Sequence, residues 1–219
     1  MSPRERHLAV RRTARYHTLG EKSDALRQVW FVLHGHGQLS GFFIRHFAPL
    51  KDDSRLIVAP EALNRFYLEP TSWQGAGQAR VGATWMTRED RLVEIEDYVR
   101  YLDALQHEVL SGLDRRRVRV VLLGFSQGVA TALRWSCLGR MQPDLLVAWA
   151  GALPMELDEK CVAHLRGRVV RVIGNGDDLA TEEAVTAEDA RWARLGLGAE
   201  TVRFNGGHEL NAEVLLALV

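Results

Sequence analysis

Arg117-Val118-Arg119-Val120-Val121-Leu122-Leu123-Gly124-Phe125-Ser126-Gln127-Gly128-Val129-Ala130-Thr131-Ala132-Leu133-Arg134-Trp135 is the stretch on which the fold turns. Its first seven residues are dominated by β-branched and apolar side chains and read as a buried strand. Its last seven, Val129 to Trp135, hold no breaker and read as a helix. Between them lies Gly124-Phe125-Ser126-Gln127-Gly128, a G-x-S-x-G pattern. Strand, tight turn and helix are the context in which that pattern presents a serine at the carboxyl edge of a sheet. A side chain at either glycine would collide with the neighbouring strand or helix. The helix N-terminus brings backbone N–H groups and a positive dipole end beside the serine oxygen.

Outward from this unit, near-continuous apolar runs recur at Val29–Leu33, Leu56–Ala59, Leu145–Ala150 and Val169–Ile173. They suit parallel strands buried on both faces. His7–His17 and Thr201–Phe204 are expected as flanking strands. Between the runs, Leu92, Ile95, Val99, Leu102, Leu105 and Val109 recur at helical spacing, after a capping-box-like start at Thr87 and Asp90. Further helices are expected over Gln127–Leu138, over about Glu182–Leu195 with a stop at Gly196, and from about Leu210. Strand–helix alternation specifies an α/β fold with a mostly parallel central sheet and helices on both faces. Glu61–Met86 breaks the rhythm and reads as a long aromatic loop holding Phe66, Tyr67, Trp73 and Trp85. Loops of that length are usually functional, so Trp73, Trp85 and Met86 are candidate walls of a substrate pocket.

The 219 residues fit one domain, 1–219. Twenty-eight basic and 28 acidic residues cancel. That balance lacks the electrostatic footprint of a nucleic-acid binder. Cys137 and Cys161 are too few for a disulfide framework and read as small buried residues in a reducing compartment. Met1–Arg12 is charged and lacks the apolar core of a signal peptide. The longest apolar run, Leu145–Met155, is too short to span a membrane and is broken by Gly151 and Pro154. A cytoplasmic protein without stable membrane insertion is expected.

A serine needs a base, and the base needs an orienting acid. In strand–turn–helix serine hydrolases the chain order is Ser, acid, His. His208 in Asn205-Gly206-Gly207-His208 follows the last strand, whereas His164 lies in a charged, helical stretch. The acid should follow the preceding strand, where Asp177 and Asp178 both stand. His34-Gly35-His36-Gly37-Gln38 follows an early strand. Its His36 N–H, with the Gln127 N–H, is the expected oxyanion hole. His34 is expected to brace that loop.

These residues resemble the carboxylesterase/phospholipase family of α/β-hydrolases, which includes the acyl-protein thioesterases. Leu33 to Gly37 looks like the family's L-H-G-x-G loop, and Gly124 to Gly128 like its G-F-S-Q-G elbow. Gly206-Gly207-His208 looks like its G-G-H, and Ile173 to Asp177 is similar to its H-G-x-x-D turn, with Ile in the His place. The resemblance spans about the whole chain. It implies a single-domain α/β-hydrolase fold and a cofactor-free serine esterase with Ser126, Asp177 and His208 as its triad. It implies a small-molecule ester or thioester as substrate, and a homodimer stays open. Adjacent residues of an extended turn point in opposite directions, so Asp178 is expected to face solvent and cap the helix near Thr181. The chain departs from the family at Val129 (usually glycine), at Gln38 (usually acidic), at Asp178–Thr181 and at Trp85–Met86. The short Gly151–Gly167 segment leaves no room for a large lid, so an open mouth is expected.

Two other readings compete. His34-x-His36, with Asp177 and His208, has the makings of a zinc site. A non-catalytic binding module on the same fold is the second.

Overall fold

A computed structural model describes residues 3–69 and 79–219. Trp73 lies outside the described residues. A seven-stranded sheet has the order β1-β3-β2-β6-β7-β8-β9. The strands are β1 (Tyr16–Leu19), β2 (Gln28–Leu33), β3 (Arg55–Pro60), β6 (Arg119–Phe125), β7 (Leu145–Trp149), β8 (Arg168–Gly174) and β9 (Glu200–Phe204). Only β1 runs antiparallel to its neighbour; β3, β2, β6, β7, β8 and β9 pair in parallel. A separate antiparallel pair joins β4 (Asn64–Tyr67) to β5 (Val81–Thr84). The helices are α1 (Ser40–Phe43), followed by a 3-10 turn over Ile44–Leu50, α2 (Arg91–Leu110), α3 (Gln127–Leu138), α4 (Glu159–Val162), α5 (Glu182–Arg194) and α6 (Ala212–Ala217).

The two-residue period of the strands sorts their side chains between two cores. Val29, Phe31, Leu33, Val120 and Leu122 pack with Leu102, Leu133, Trp135 and Trp192 of α2, α3 and α5. Trp30, Val32, Val121, Leu123 and Phe125 pack on the other face with Phe43, Phe47 and Leu215. Burial on both faces explains why the central strands read as unbroken apolar runs. Each such side chain, fully buried, contributes about 1.5–3 kcal/mol of transfer free energy.

The flanking strand is shorter than the His7–His17 expectation. Leu8 and Val10 are exposed, and the ladder to β3 forms only over Tyr16–Leu19. Arg15 O still accepts from the Glu61 N–H at 3.0 Å, and residues 3–13 are exposed. The Glu61–Met86 segment is not wholly irregular: β4 and β5 form a hairpin, with Asn64 opposite Thr84. Their four-residue strands are too short for a periodicity argument. The capping box at Thr87 and Asp90 does not form. Asp90 itself is the N-cap, at φ 45°, while Thr87 Oγ1 accepts from the Glu89 N–H at 3.1 Å. Helix α6 starts at Ala212, where the Asn211 side chain accepts from the Val214 N–H at 3.0 Å. Cys137 and Cys161 are free thiols, half-buried rather than buried. Among the described residues no helix is long and apolar enough to cross a membrane.

Candidate active site

Ser126 sits between β6 and α3 at φ 54°, ψ −119°. Non-glycine residues rarely adopt this backbone, and holding one there costs about 1–3 kcal/mol. The surroundings enforce it. The Ser126 N–H donates to Trp149 O at 2.9 Å, tying the turn to β7. A Cβ on Gly128 would come within 2.8 Å of Leu33 C, and one on Gly124 within 2.6 Å of Val129 N. Both glycines are therefore steric requirements of the turn. Val129, in the place where the resembled family repeats a glycine, is fully buried in the core and does not disturb it.

Asp177 and His208 reach the same edge of the sheet from the loops after β8 and β9. His208 Nδ1 donates to Asp177 Oδ2 at 2.8 Å. Asp177 is only 6% exposed, and its other oxygen accepts from the Leu179 N–H at 2.9 Å. Asp178 is exposed. It does not cap α5: the Thr181 side chain does, accepting from the Ala184 N–H at 3.2 Å. Backbone bonds fasten the two loops together, from Gly176 N–H to Gly206 O and from Asn175 N–H to Phe204 O, both 2.9 Å. A Cβ on Gly174 would press into Gly206, so the close approach requires glycine. The Trp149 indole N–H holds Glu209 O at 2.8 Å, and the Phe125 ring lies 5.0 Å from the His208 ring. Ser126, Asp177 and His208 all line one cavity. No hydrogen bond joins the Ser126 hydroxyl to His208 here, a contact that often tightens only around substrate.

The His34–Gln38 loop packs on the serine turn; a Cβ on Gly35 would lie 3.1 Å from Ser126 Cβ. His34 is fully buried and braces the loop. Its Nδ1 donates to Gly35 O at 2.7 Å, and its Nε2 accepts from the Ala62 N–H at 3.0 Å. That pattern fixes the neutral tautomer. Burial lowers its pKa to about 4. With both nitrogens engaged, His34 is not placed to bind a metal. His36 is exposed, its ring stacked 5.0 Å from Phe66. Gln38 closes the turn, its Oε1 accepting from the Gly35 N–H at 2.8 Å. The β4–β5 hairpin props this loop, with Gly37 N–H donating to Ala83 O at 2.8 Å. The His36 and Gln127 N–H groups have no partner among the described residues.

Trp85 and Met86 do not line the cavity. Trp85 is buried, its indole N–H bonded to His34 O at 2.9 Å. Met86 O accepts from the Gln127 side chain at 2.9 Å, and the same amide takes the Trp85 N–H at 3.1 Å. Their aromatic and sulfur surface serves the core and the loop behind the serine. The cavity, about 470 Å³, is walled instead by the segment after β7 and the start of α5. Ala150, Leu153, Pro154, Ile173 and Val185 form its apolar lining, with Met155 (81% exposed) and Leu179 (71%) at its rim. Arg91, Arg134, Arg171 and Glu188 also line it. None of these residues stands out in the sequence. The one available signal is helical: Ala130 and Arg134 follow Ser126 at i+4 and i+8, on one face of α3. Among the described residues, a group of acidic and imidazole side chains close enough to share a metal occurs at Glu5, His7 and Asp90, all exposed and outside this cavity.

No protein-family model matches the chain, and no curated protein matches it in sequence. Solved structures do match in shape. The crystal structure of esterase PE8 has a TM-score of 0.65 at 23% identity, covering 94% of this chain and 97% of that one. Acyl-protein thioesterase 2 from Zea mays has a TM-score of 0.65 at 17% identity, covering 94% and 96%. The structure of YahD with malic acid has a TM-score of 0.59 at 18% identity, covering 94% and 96%. At these identities the likeness shows the fold, which is the α/β-hydrolase fold.

Proposed function

We propose that this α/β-hydrolase-fold chain is a serine hydrolase that cleaves carboxylic esters or thioesters through an acyl-serine intermediate. The observation that carries the reading is the 2.8 Å hydrogen bond from His208 to buried Asp177, beside a cavity that Ser126 also lines. In this reading Ser126 Oγ attacks the carbonyl carbon while His208 Nε2 takes its proton. Asp177 holds the imidazole with Nε2 toward the serine and stabilises the imidazolium. The His36 and Gln127 N–H groups receive the developing oxyanion, each worth about 10²–10³ in rate. His208 then protonates the leaving alkoxide or thiolate, and water repeats the sequence on the acyl-serine.

The cavity volume fits a small to medium acyl or alkyl group, being within the usual range for ligand sites. The chemistry needs no cofactor. The partner is a small-molecule substrate rather than nucleic acid or a membrane; the free thiols favour the cytoplasm, and a homodimer is compatible with the reading.

The test is hydrolysis of 4-nitrophenyl esters of rising chain length, with and without EDTA. Turnover that peaks at short to medium chains and ignores the chelator is expected. Activity lost to EDTA and restored by zinc overturns the serine reading. Binding of esters without turnover makes the chain a binding module.

A further inference from the structure

The cavity described above carries a charge that the ester chemistry does not use. Arg134 is only 5% exposed, yet its carboxylate partner is shared. Arg134 Nε contacts Glu156 Oε1 at 2.5 Å, and Arg91 Nη2 contacts Glu156 Oε2 at 2.5 Å. Two guanidinium groups and one carboxylate leave one positive charge. The remaining partners of Arg134 are the neutral Tyr98 hydroxyl and Met86 Sδ, each at 3.4 Å. Neither guanidinium has a second carboxylate within ion-pair distance among the described residues.

Of the other charges of the lining, the Asp177 carboxylate is turned to the His208 imidazole and the Leu179 N–H at the serine end, and the rest are matched by opposite charges. Arg171 pairs with Asp189 and lies over the Trp192 ring. Glu188 pairs with Arg191 at 2.5 Å and accepts from the Leu153 N–H at 2.9 Å. The excess positive charge is therefore localised at Arg91 and Arg134, at the opposite end of the α3 wall from the Asp177 carboxylate, and both arginines line the cavity while Glu156 does not. Arg134 is eight residues beyond Ser126, seven of those steps being within α3, so about 10 Å of helix rise lies between the serine turn and the arginine. Its side chain leans back toward the serine, because helical side chains tilt toward the N-terminus. Between serine and arginine the wall is Ala130 and the apolar residues after β7. A partly buried cation of this kind favours an anionic group that replaces its lost water.

We propose that the substrate carries a carboxylate at the end remote from the scissile bond, and that Arg91 and Arg134 select for it. This rests on the serine-hydrolase reading and narrows it to half-esters of dicarboxylic acids or acyl esters of hydroxy acids. A guanidinium pair with one shared counter-charge recognises the carboxylate; the apolar wall accommodates the short chain between.

The experiment compares kcat/KM for 4-nitrophenyl hydrogen glutarate with that for its methyl-capped diester. A second arm compares 4-acetoxybutanoate with its methyl ester, which places the carboxylate on the alcohol side. In one arm the free carboxylate is preferred by about tenfold, the scale of a charge-assisted hydrogen bond in a partly buried site. The arm that shows it identifies which side of the ester fills the cavity. Arg91→Gln reduces that preference about tenfold and Arg91→Lys retains most of it, each with Tm followed to confirm folding. A preference at or below one in both arms, or an Arg91→Gln variant that slows charged and capped esters equally, overturns the proposal while leaving the hydrolase reading in place. A protein that hydrolyses none of the four overturns both.

Discussion

Asp177 and Asp178 are neighbours in sequence, and their environments separate their roles. Asp177 is buried with both oxygens bonded, one to His208 and one to the Leu179 N–H, whereas Asp178 is in solvent. In the proposed mechanism Asp177→Asn presents an amide to His208 Nδ1 and stabilises the wrong tautomer. Its kcat is expected to fall by about 10⁴. Asp178→Asn is expected to change kcat less than about twofold, because an exposed side chain contributes little. Steady-state kinetics of the two variants checks this, and a large loss confined to Asp178→Asn contradicts it. The choice between the two was legible only in part: the count from Gly174 favours Asp177, but the contact that decides it comes from His208, 31 positions away. Arg134 is marked in the sequence only by its helical spacing from Ser126, and a lone arginine in a helix normally reads as a solvated residue.

The β6–Ser126–α3 unit is the element the sequence exposes most fully. Its strand is a run of apolar residues, its turn needs two glycines for steric reasons, and its helix, expected from the breaker-free run after the turn, spans Gln127–Leu138. The β4–β5 hairpin is the opposite case. It has two four-residue strands, half-exposed, and it is held by contacts to the His34–Gln38 loop rather than by its own pattern. Aromatic residues there suggested a pocket wall, yet Trp85 is turned into the core by its bond to His34 O. Gln127 clamps this region with its side chain, accepting from Trp85 N–H and donating to Met86 O. Gln127→Ala is expected to cost about 1–3 kcal/mol, the usual penalty for stranding part-buried backbone groups. For a chain of this size Tm then falls by roughly 2–4 °C per kcal/mol. Its kcat is expected to fall far less than in Asp177→Asn, because the oxyanion donor assigned here is the backbone N–H, which alanine keeps. Calorimetry beside ester kinetics checks both, and an unchanged Tm contradicts the clamp.

At the scale of the whole molecule, a neutral chain folds around one twisted sheet and spends several buried polar groups on holding its loops. One of them, His34, and the partly exposed carboxylate of Glu156 make it acid-sensitive. Burial lowers the His34 pKa to about 4, against an ordinary value of 6.5. Burial would raise Glu156, but its hydrogen bonds from Arg134 and Arg91 override that and carry it down to about 2. Between pH 6.5 and 4 the unfolded chain binds a proton at His34 that the folded chain refuses. The stability present above pH 6.5 is therefore lost as pH falls, by about 3 kcal/mol in full. Glu156 adds a further loss below about pH 4.5, where the unfolded carboxyl begins to protonate and the folded one does not. Urea unfolding at pH 7, 5.5 and 4.5 should show a falling midpoint, and a flat profile across that range contradicts the neutral buried imidazole. The central claim, that Ser126 is the nucleophile, has a more direct measurement. Treatment with a fluorophosphonate, followed by mass spectrometry of the intact protein and its peptides, is expected to show one adduct, on Ser126, and none in Ser126→Ala. A folded wild-type protein that stays unlabelled from pH 6 to 9, or is labelled at another residue, contradicts the account.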